Sequence, residues 1–213
     1  MDLNEYAAQI RERLDAKNAA REKGIVASRK AIRFCANSIR AVHRGEMDVA
    51  RDLQAQARAE LDHAREEMKD FPDIYFAGYL QDGEKEYAEA LATYAIINGD
   101  PIPGPADCAV GDAPYLNGLS EVIGELRRHL LDIIRHGDLE RGEELLNAMD
   151  DIYFILVSMD YPDAITGGLR RSTDVARSIM ERSRGDLSLT IVQDGIRAAI
   201  EKHRAKLDAG SGS

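Results

Sequence analysis

The chain has 213 residues, a formal net charge of −10 and two cysteines. A chain this long buries roughly 70% of the surface its unfolded form exposes, so it needs neither a disulfide nor a structural metal to fold. The 38 acidic against 28 basic residues argue against general electrostatic adhesion to nucleic acid or anionic lipid, and no window approaches the ~18 uncharged apolar residues of a membrane span.

With no tryptophan and four phenylalanines, the core must be aliphatic and alanine-rich, which favours helices. The opening segment MDLNEYAAQIRERL is charged from its second residue and does not read as a signal peptide. Cys35 and Cys108 show no CxxC spacing, which is expected of free thiols in a reducing cytoplasm. Together these features predict a cytoplasmic protein.

Helical periodicity dominates, and no segment alternates as a strand would. A first helix is predicted from about Leu3 to Val42, loosened at Gly24, with Ala27, Ala31, Phe34, Ser38 and Ala41 on one face. A second runs from about Met47 to Lys69 and stops at Asp70-Phe71-Pro72. A third is predicted as one piece from about Asp73 to Ile97, ending at Asn98-Gly99-Asp100-Pro101. Residues 98–114 then hold four prolines and three glycines, which punctuate rather than pair.

After that loop, YLNGLSEVIGELRRHLLDIIRHGD reads as an amphipathic helix. A further helix, about Leu139 to Met159, sets Leu145, Met149, Ile152, Leu156 and Met159 at steps of four and three, a packing seam. The turn Pro162 to Gly168 leads into a last helical stretch, about Leu169 to Lys206, with a break expected near Gly185-Asp186. We read residues 1–207 as a single all-α domain of about seven helices, with 208–213 as a flexible tail.

Two acidic pairs stand out. Glu86 and Glu89, three apart in EKEYAEAL, share one helix face at roughly 5–6 Å between Cβ atoms. Like charges at that spacing repel, and no lysine follows either of them four positions on. Glu121 and Glu125 stand one turn apart in the helix after the loop, Glu121 bracketed by Leu119, Val122 and Ile123. Two helices that each present two carboxylates can converge to hold one or two hard divalent cations, with Mg²⁺ or Mn²⁺ activating water and neutralising phosphate charge. The same spacing also occurs on solvated faces of acidic helices.

Other groups carry less. Glu60 and His63 form an ExxH, half of a di-iron carboxylate set, with no second copy. His129 follows Glu125 by four. No GxxxxGK[ST] or GxGxxG is present, so a P-loop or dinucleotide site has no support. An all-α nucleotide pyrophosphohydrolase would also use ExxE acids, but its second motif is spaced ExxD, unlike the ExxxE here. Residues 21–44 hold seven Arg or Lys against one Glu. Arg29, Arg33, Arg40 and Arg44 recur at steps of four, seven and four, a stripe that can track a phosphate backbone or pair with neighbouring acids.

The order of EYAEAL (Glu86 to Leu91), YLNGLSEVIGEL (Tyr115 to Leu126) and GGLRRSTDVARSIMERSRGDLSL (Gly167 to Leu189) resembles the translin family, and within it the catalytic translin-associated factor X type. The likeness runs from about Ala20 to Leu189. It implies an all-α fold of about seven helices in a closed hollow homo-oligomer, commonly an octamer, that holds single-stranded RNA or also single-stranded DNA. It implies a Mg²⁺- or Mn²⁺-dependent endoribonuclease with Glu86, Glu89, Glu121 and Glu125 as catalytic and metal-binding acids, the alternative being a binding module of the same fold that does not cut. Glu121 stands where the family commonly has Asp, one methylene shorter. Residues 74–84 hold no Arg or Lys, so the basic patch of translin itself is absent and RNA contacts are expected from Arg29, Arg33, Arg40 and Arg44. The compact chain is expected to be a prokaryotic, archaeal member.

Overall fold

The computed structural model describes residues 2–210, with side chains to residue 208. Among these residues there is no strand, and the helices are α1 (Leu3–His43), α2 (Met47–Met68), α3 (Pro72–Tyr75), α4 (Tyr79–Asn98), α5 (Pro105–Cys108), α6 (Asp112–Ile134), α7 (Leu139–Ser158), α8 (Asp163–Thr166) and α9 (Leu169–Gly210). The all-α fold expected from the periodicity is the fold found. The helices group into two compact units, one of residues up to Val122 with Asp160–Ser172, the other of Ile123–Met159 with the chain from Thr173 onward.

In the first unit, α1 starts where the Asp2 carboxylate accepts from the Asn4 N–H at 3.1 Å. The predicted face is buried at Ala27, Ala31, Ser38 and Ala41, with Phe34 packed at its margin. Gly24 does not loosen this helix. A Cβ there would lie 2.4 Å from Met68 Sδ, so the glycine admits the methionine at the end of α2. Leu61 and Met68 of α2 fill the space between α1 and α4.

The single helix expected from Asp73 to Ile97 is in fact two. One turn, α3, ends at Tyr75, and α4 starts after Gly78, whose φ of 102° is a left-handed conformation that side chains disfavour. Gln81 Oε1 accepts from the Gly78 N–H at 3.0 Å and starts α4. Proline and helical periodicity on both sides had masked this glycine as a stop. From there α4 is buried on nearly every side, including Leu80, Tyr87, Ala88, Ala92 and the acids Glu84 and Glu89.

The proline-rich loop after α4 is pinned by α2. Arg58 donates to the Cys108 carbonyl at 3.1 Å and Arg65 to the Ala109 carbonyl at 2.5 Å. Arg65 also holds the buried Glu84 carboxylate at 2.8 Å, and Glu84 accepts from the Gly111 N–H at 3.4 Å. Backbone groups that no regular structure would satisfy therefore have partners. The loop delivers the chain to α6 in a set position.

In the second unit, Leu126 and Leu130 of α6, Leu145, Met149, Ile152 and Leu156 of α7, and Ala176, Met180 and Leu187 of α9 form the core. Met159, the last position of the predicted seam, is half-buried. The break expected at Gly185-Asp186 is absent. Helix α9 continues through it, and Asp186 accepts from Arg127 at 2.7 Å, a contact that favours the helical register over a turn. From Ser188 to Asp208 no residue of α9 is buried. Helix α9 reaches Gly210, and the remaining positions of the expected tail, 211–213, lie outside the described residues.

Candidate metal centre

Helices α4 and α6 meet backbone to backbone at Gly118. A Cβ on that residue would stand 2.7 Å from the Lys85 carbonyl oxygen and 3.1 Å from the Glu89 nitrogen, distances real side chains do not tolerate. Small residues permit this closeness, since Ala88 faces the same glycine. One turn further along α6 stands Glu121.

The outcome is a convergence of acids. Carboxylate oxygens of Glu86, Glu89 and Glu121 all lie within 4.8 Å of one another. Two oxygens on opposite sides of a divalent ion at bonds of about 2.1–2.6 Å would be separated by about 4–5 Å, so this donor set fits one hard cation. Among the described residues no other group of three or more acids, histidines or cysteines has metal-holding geometry. Glu125, the fourth acid expected, is half-buried one turn beyond Glu121 on α6 and belongs to the second unit.

The electrostatics follow from burial. Glu89 is 7% exposed, and Glu86 keeps a quarter of its side chain in solvent. Burial raises the Glu86 pKa above the usual carboxylate range; the Glu121 charge adds to the shift while Lys85 opposes it. Lys85 is the residue that sequence reasoning missed. Its Nζ lies 2.6 Å from Glu121 Oε1 and 3.4 Å from Glu86 Oε1. Burial alone would lower its pKa, but the hydrogen bond and charge of Glu121, with Glu86, raise it instead. A search for a cation four positions along the same helix could not find a lysine that reaches from α4 to a carboxylate on α6.

The thiols are excluded as nucleophiles by the same physics. Burial, then the charges of Glu86 and Glu89, push the Cys35 thiol far up, and burial takes Cys108 to about 11. Glu60 of the ExxH is engaged by Lys30 at 3.3 Å, and His63 lines a shallow surface depression with Lys23 and Lys30.

Arg29, Arg33, Arg40 and Arg44 are exposed along α1. Arg40 donates to Asn37 at 2.7 Å and Arg44 pairs with Glu46 at 2.7 Å. Arg29 and Arg33 have no ion pair among the described residues. Lys23 and Lys30, on another side of α1, pair with Glu67 at 3.1 Å and Glu60 at 3.3 Å of α2. Among the described residues no helix is long and apolar enough to cross a membrane.

No protein-family model matches the chain. An uncharacterised protein of Methanocaldococcus jannaschii is 32% identical over 201 residues, 91% of this chain and 85% of that protein. Among solved structures, AfC3PO in complex with duplex RNA has a TM-score of 0.82 and 31% identity, covering 88% of this chain and 97% of that one. AfC3PO alone gives the same TM-score and identity, covering 98% of its own chain and 88% of this one. The apo-NeC3PO structure, at TM-score 0.79 and 20% identity over 89% of this chain and 98% of that one, shares the fold. Near-complete coverage in both directions, the helical architecture and the converging acids agree with the residues that first suggested the resemblance, and the chain belongs to the translin family as a C3PO-like member.

Proposed function

We propose that the protein is a metal-dependent endoribonuclease that works as a homo-oligomer. The observation that carries this reading is the convergence of Glu86, Glu89 and Glu121 within 4.8 Å. Glu125 follows Glu121 by four residues in the sequence, and on that spacing alone we include it as the fourth acid. A bound Mg²⁺ or Mn²⁺ would supply Lewis acidity at the phosphate and ease deprotonation of the attacking water. The protein's part is to hold three or four carboxylates at coordination distance and to keep one of them able to accept a proton.

Cleavage by activated water leaves 5′-phosphate and 3′-hydroxyl ends and needs no 2′-hydroxyl, so single-stranded DNA is also a candidate substrate. AfC3PO has been seen with duplex RNA. Single-stranded RNA, duplex RNA and single-stranded DNA therefore belong in the same assay. Arg29 and Arg33, exposed and without ion pairs, are proposed with Arg40 and Arg44 as phosphate contacts.

Apolar residues exposed on the single chain support assembly. Leu3, Tyr6, Ile10 and Leu14 recur along the first turns of α1, and Leu189, Val192, Ile196 and Ile200 along the end of α9. Stripes of this kind mark surfaces that another protein covers.

The test is manganese-dependent cleavage of end-labelled oligonucleotides by the purified protein. Glu89→Gln is expected to lower the cleavage rate by about a hundredfold or more while RNA retention in a gel shift is unchanged. Undiminished cleavage removes Glu89 from the site, and cyclic-phosphate products sink the hydrolytic mechanism. A non-cutting RNA-binding module is the second reading, favoured by one observation: Lys85 already neutralises part of the acid cluster. Binding without cleavage in manganese would select it.

A further inference from the structure

The acids of the candidate centre are already in contact with a cation. Lys85 Nζ bridges the two helices, 2.6 Å from Glu121 Oε1 on α6 and 3.4 Å from Glu86 Oε1 on its own helix. Those two carboxylates belong to the group whose oxygens lie within 4.8 Å of one another. An ammonium at such distances uses the same oxygen lone pairs that a hard dication would use.

We propose that Lys85 is a resident counter-cation of the metal centre, competing with the divalent ion for Glu121 and thereby setting how tightly the ion is held. This rests on the metal-centre reading above and deepens it. Three carboxylates this close repel one another strongly when nothing lies among them. Lys85 removes one unit of that charge and lets the centre exist unloaded.

The side chain is suited to being displaced. Lysine is a point charge on a flexible four-carbon stem, with rotatable donors rather than a fixed fork. A quarter of the Lys85 side chain is exposed, as is two-fifths of Glu121, so the pair lies at the mouth of the cluster and not beneath it. Glu89, the most buried acid of the cluster, is 7% exposed on α4. Loading therefore requires the Lys85 ammonium to leave Glu121 and Glu86.

Mn²⁺ binding to the full-length, chelator-treated protein, followed by electron paramagnetic resonance of the free ion, tests this directly. Lys85→Met should bind Mn²⁺ about two- to fivefold more tightly than wild type, the size expected for losing one partly exposed ion pair. Lys85→Arg, which restores the charge, should bring the affinity back toward the wild-type value. Thermal unfolding supplies a second readout. Lys85→Met should melt lower than wild type in chelator and gain more from Mn²⁺ than wild type does, whereas a merely structural lysine would shift both melts equally. Should Lys85→Met fail to fold, Lys85→Gln serves in the same two measurements.

Equal or weaker Mn²⁺ binding in the neutralised variants overturns the competition while leaving the centre intact, provided wild-type binding is abolished by Glu89→Gln. Wild-type protein that binds no Mn²⁺, or binds it independently of Glu89, removes the centre itself and the Lys85 proposal with it.

Discussion

Helix α4 and the end of α9 are both helical and carry apolar residues at regular spacing, yet they live in opposite environments. Helix α4 is enclosed so fully that even Glu84 and Glu89 are less than a tenth exposed. From Ser188 to Asp208 α9 buries no residue, and Ile196 and Ile200 remain more than half exposed. A charge on α4 must be answered by another charge, whereas on α9 it meets water. The two regions show that burial, not residue type, decides which carboxylates need a countercharge. Acids are common throughout this chain, and few are held away from solvent against each other.

The comparison is most exposed to failure at Gly118. Replacing it with alanine sets a methyl 2.7 Å from a backbone oxygen, which cannot swing aside. Gly118→Ala should cost about 1–3 kcal/mol by urea denaturation, as overpacking typically does. It should also weaken Mn²⁺ binding, because α6 must draw back from α4 and carry Glu121 with it. An unchanged midpoint and unchanged affinity would mean that the helices are not in contact there.

A smaller effect tests the charge balance. Burial raises the Glu86 pKa, so the folded chain favours the protonated form of this side chain. Its contribution to stability is therefore fully present below the ordinary carboxylate pKa and lost as pH rises through the raised one. At neutral pH the ionised Glu86 is a cost. Glu86→Gln should raise the melting temperature of chelator-treated protein at pH 7 by about 1–3 °C. The advantage should vanish on acidification, and stabilisation by Mn²⁺ should be lost. A variant that melts lower than wild type at pH 7 in chelator contradicts the assignment.

The least effect on the chain alone is expected at the far end of α9. Ile196→Glu with Ile200→Glu should change stability by less than about 0.5 kcal/mol, as substitutions on a solvated face do. The same double change should lower the assembly mass measured by light scattering if that stripe is covered by another copy. A large loss of stability without a change in mass would show that the stripe packs within its own chain.

Within the candidate site, the pairing of the acids was legible from spacing. Glu86 and Glu89 must share a face at an interval of three, and Glu121 with Glu125 at four, because an α-helix repeats every 3.6 residues. The face of α1 through Ala27, Ala31, Ser38 and Ala41 and the seam of α7 through Leu145, Met149, Ile152 and Leu156 were readable for the same reason. Lys85 was not, since its partner lies on another helix, and neither was the break at Gly78, where one left-handed residue interrupts an otherwise helical pattern.

The amino-acid order alone determined the helices, their inward faces and which acids travel as pairs, because these depend on contacts within three or four residues. Only the tertiary structure decided that two of those helices approach at Gly118, that three carboxylates lie within 4.8 Å of one another and that Lys85 pairs with two of them. Such distances are set by how side chains far apart in the chain pack together, and no local repeat encodes them.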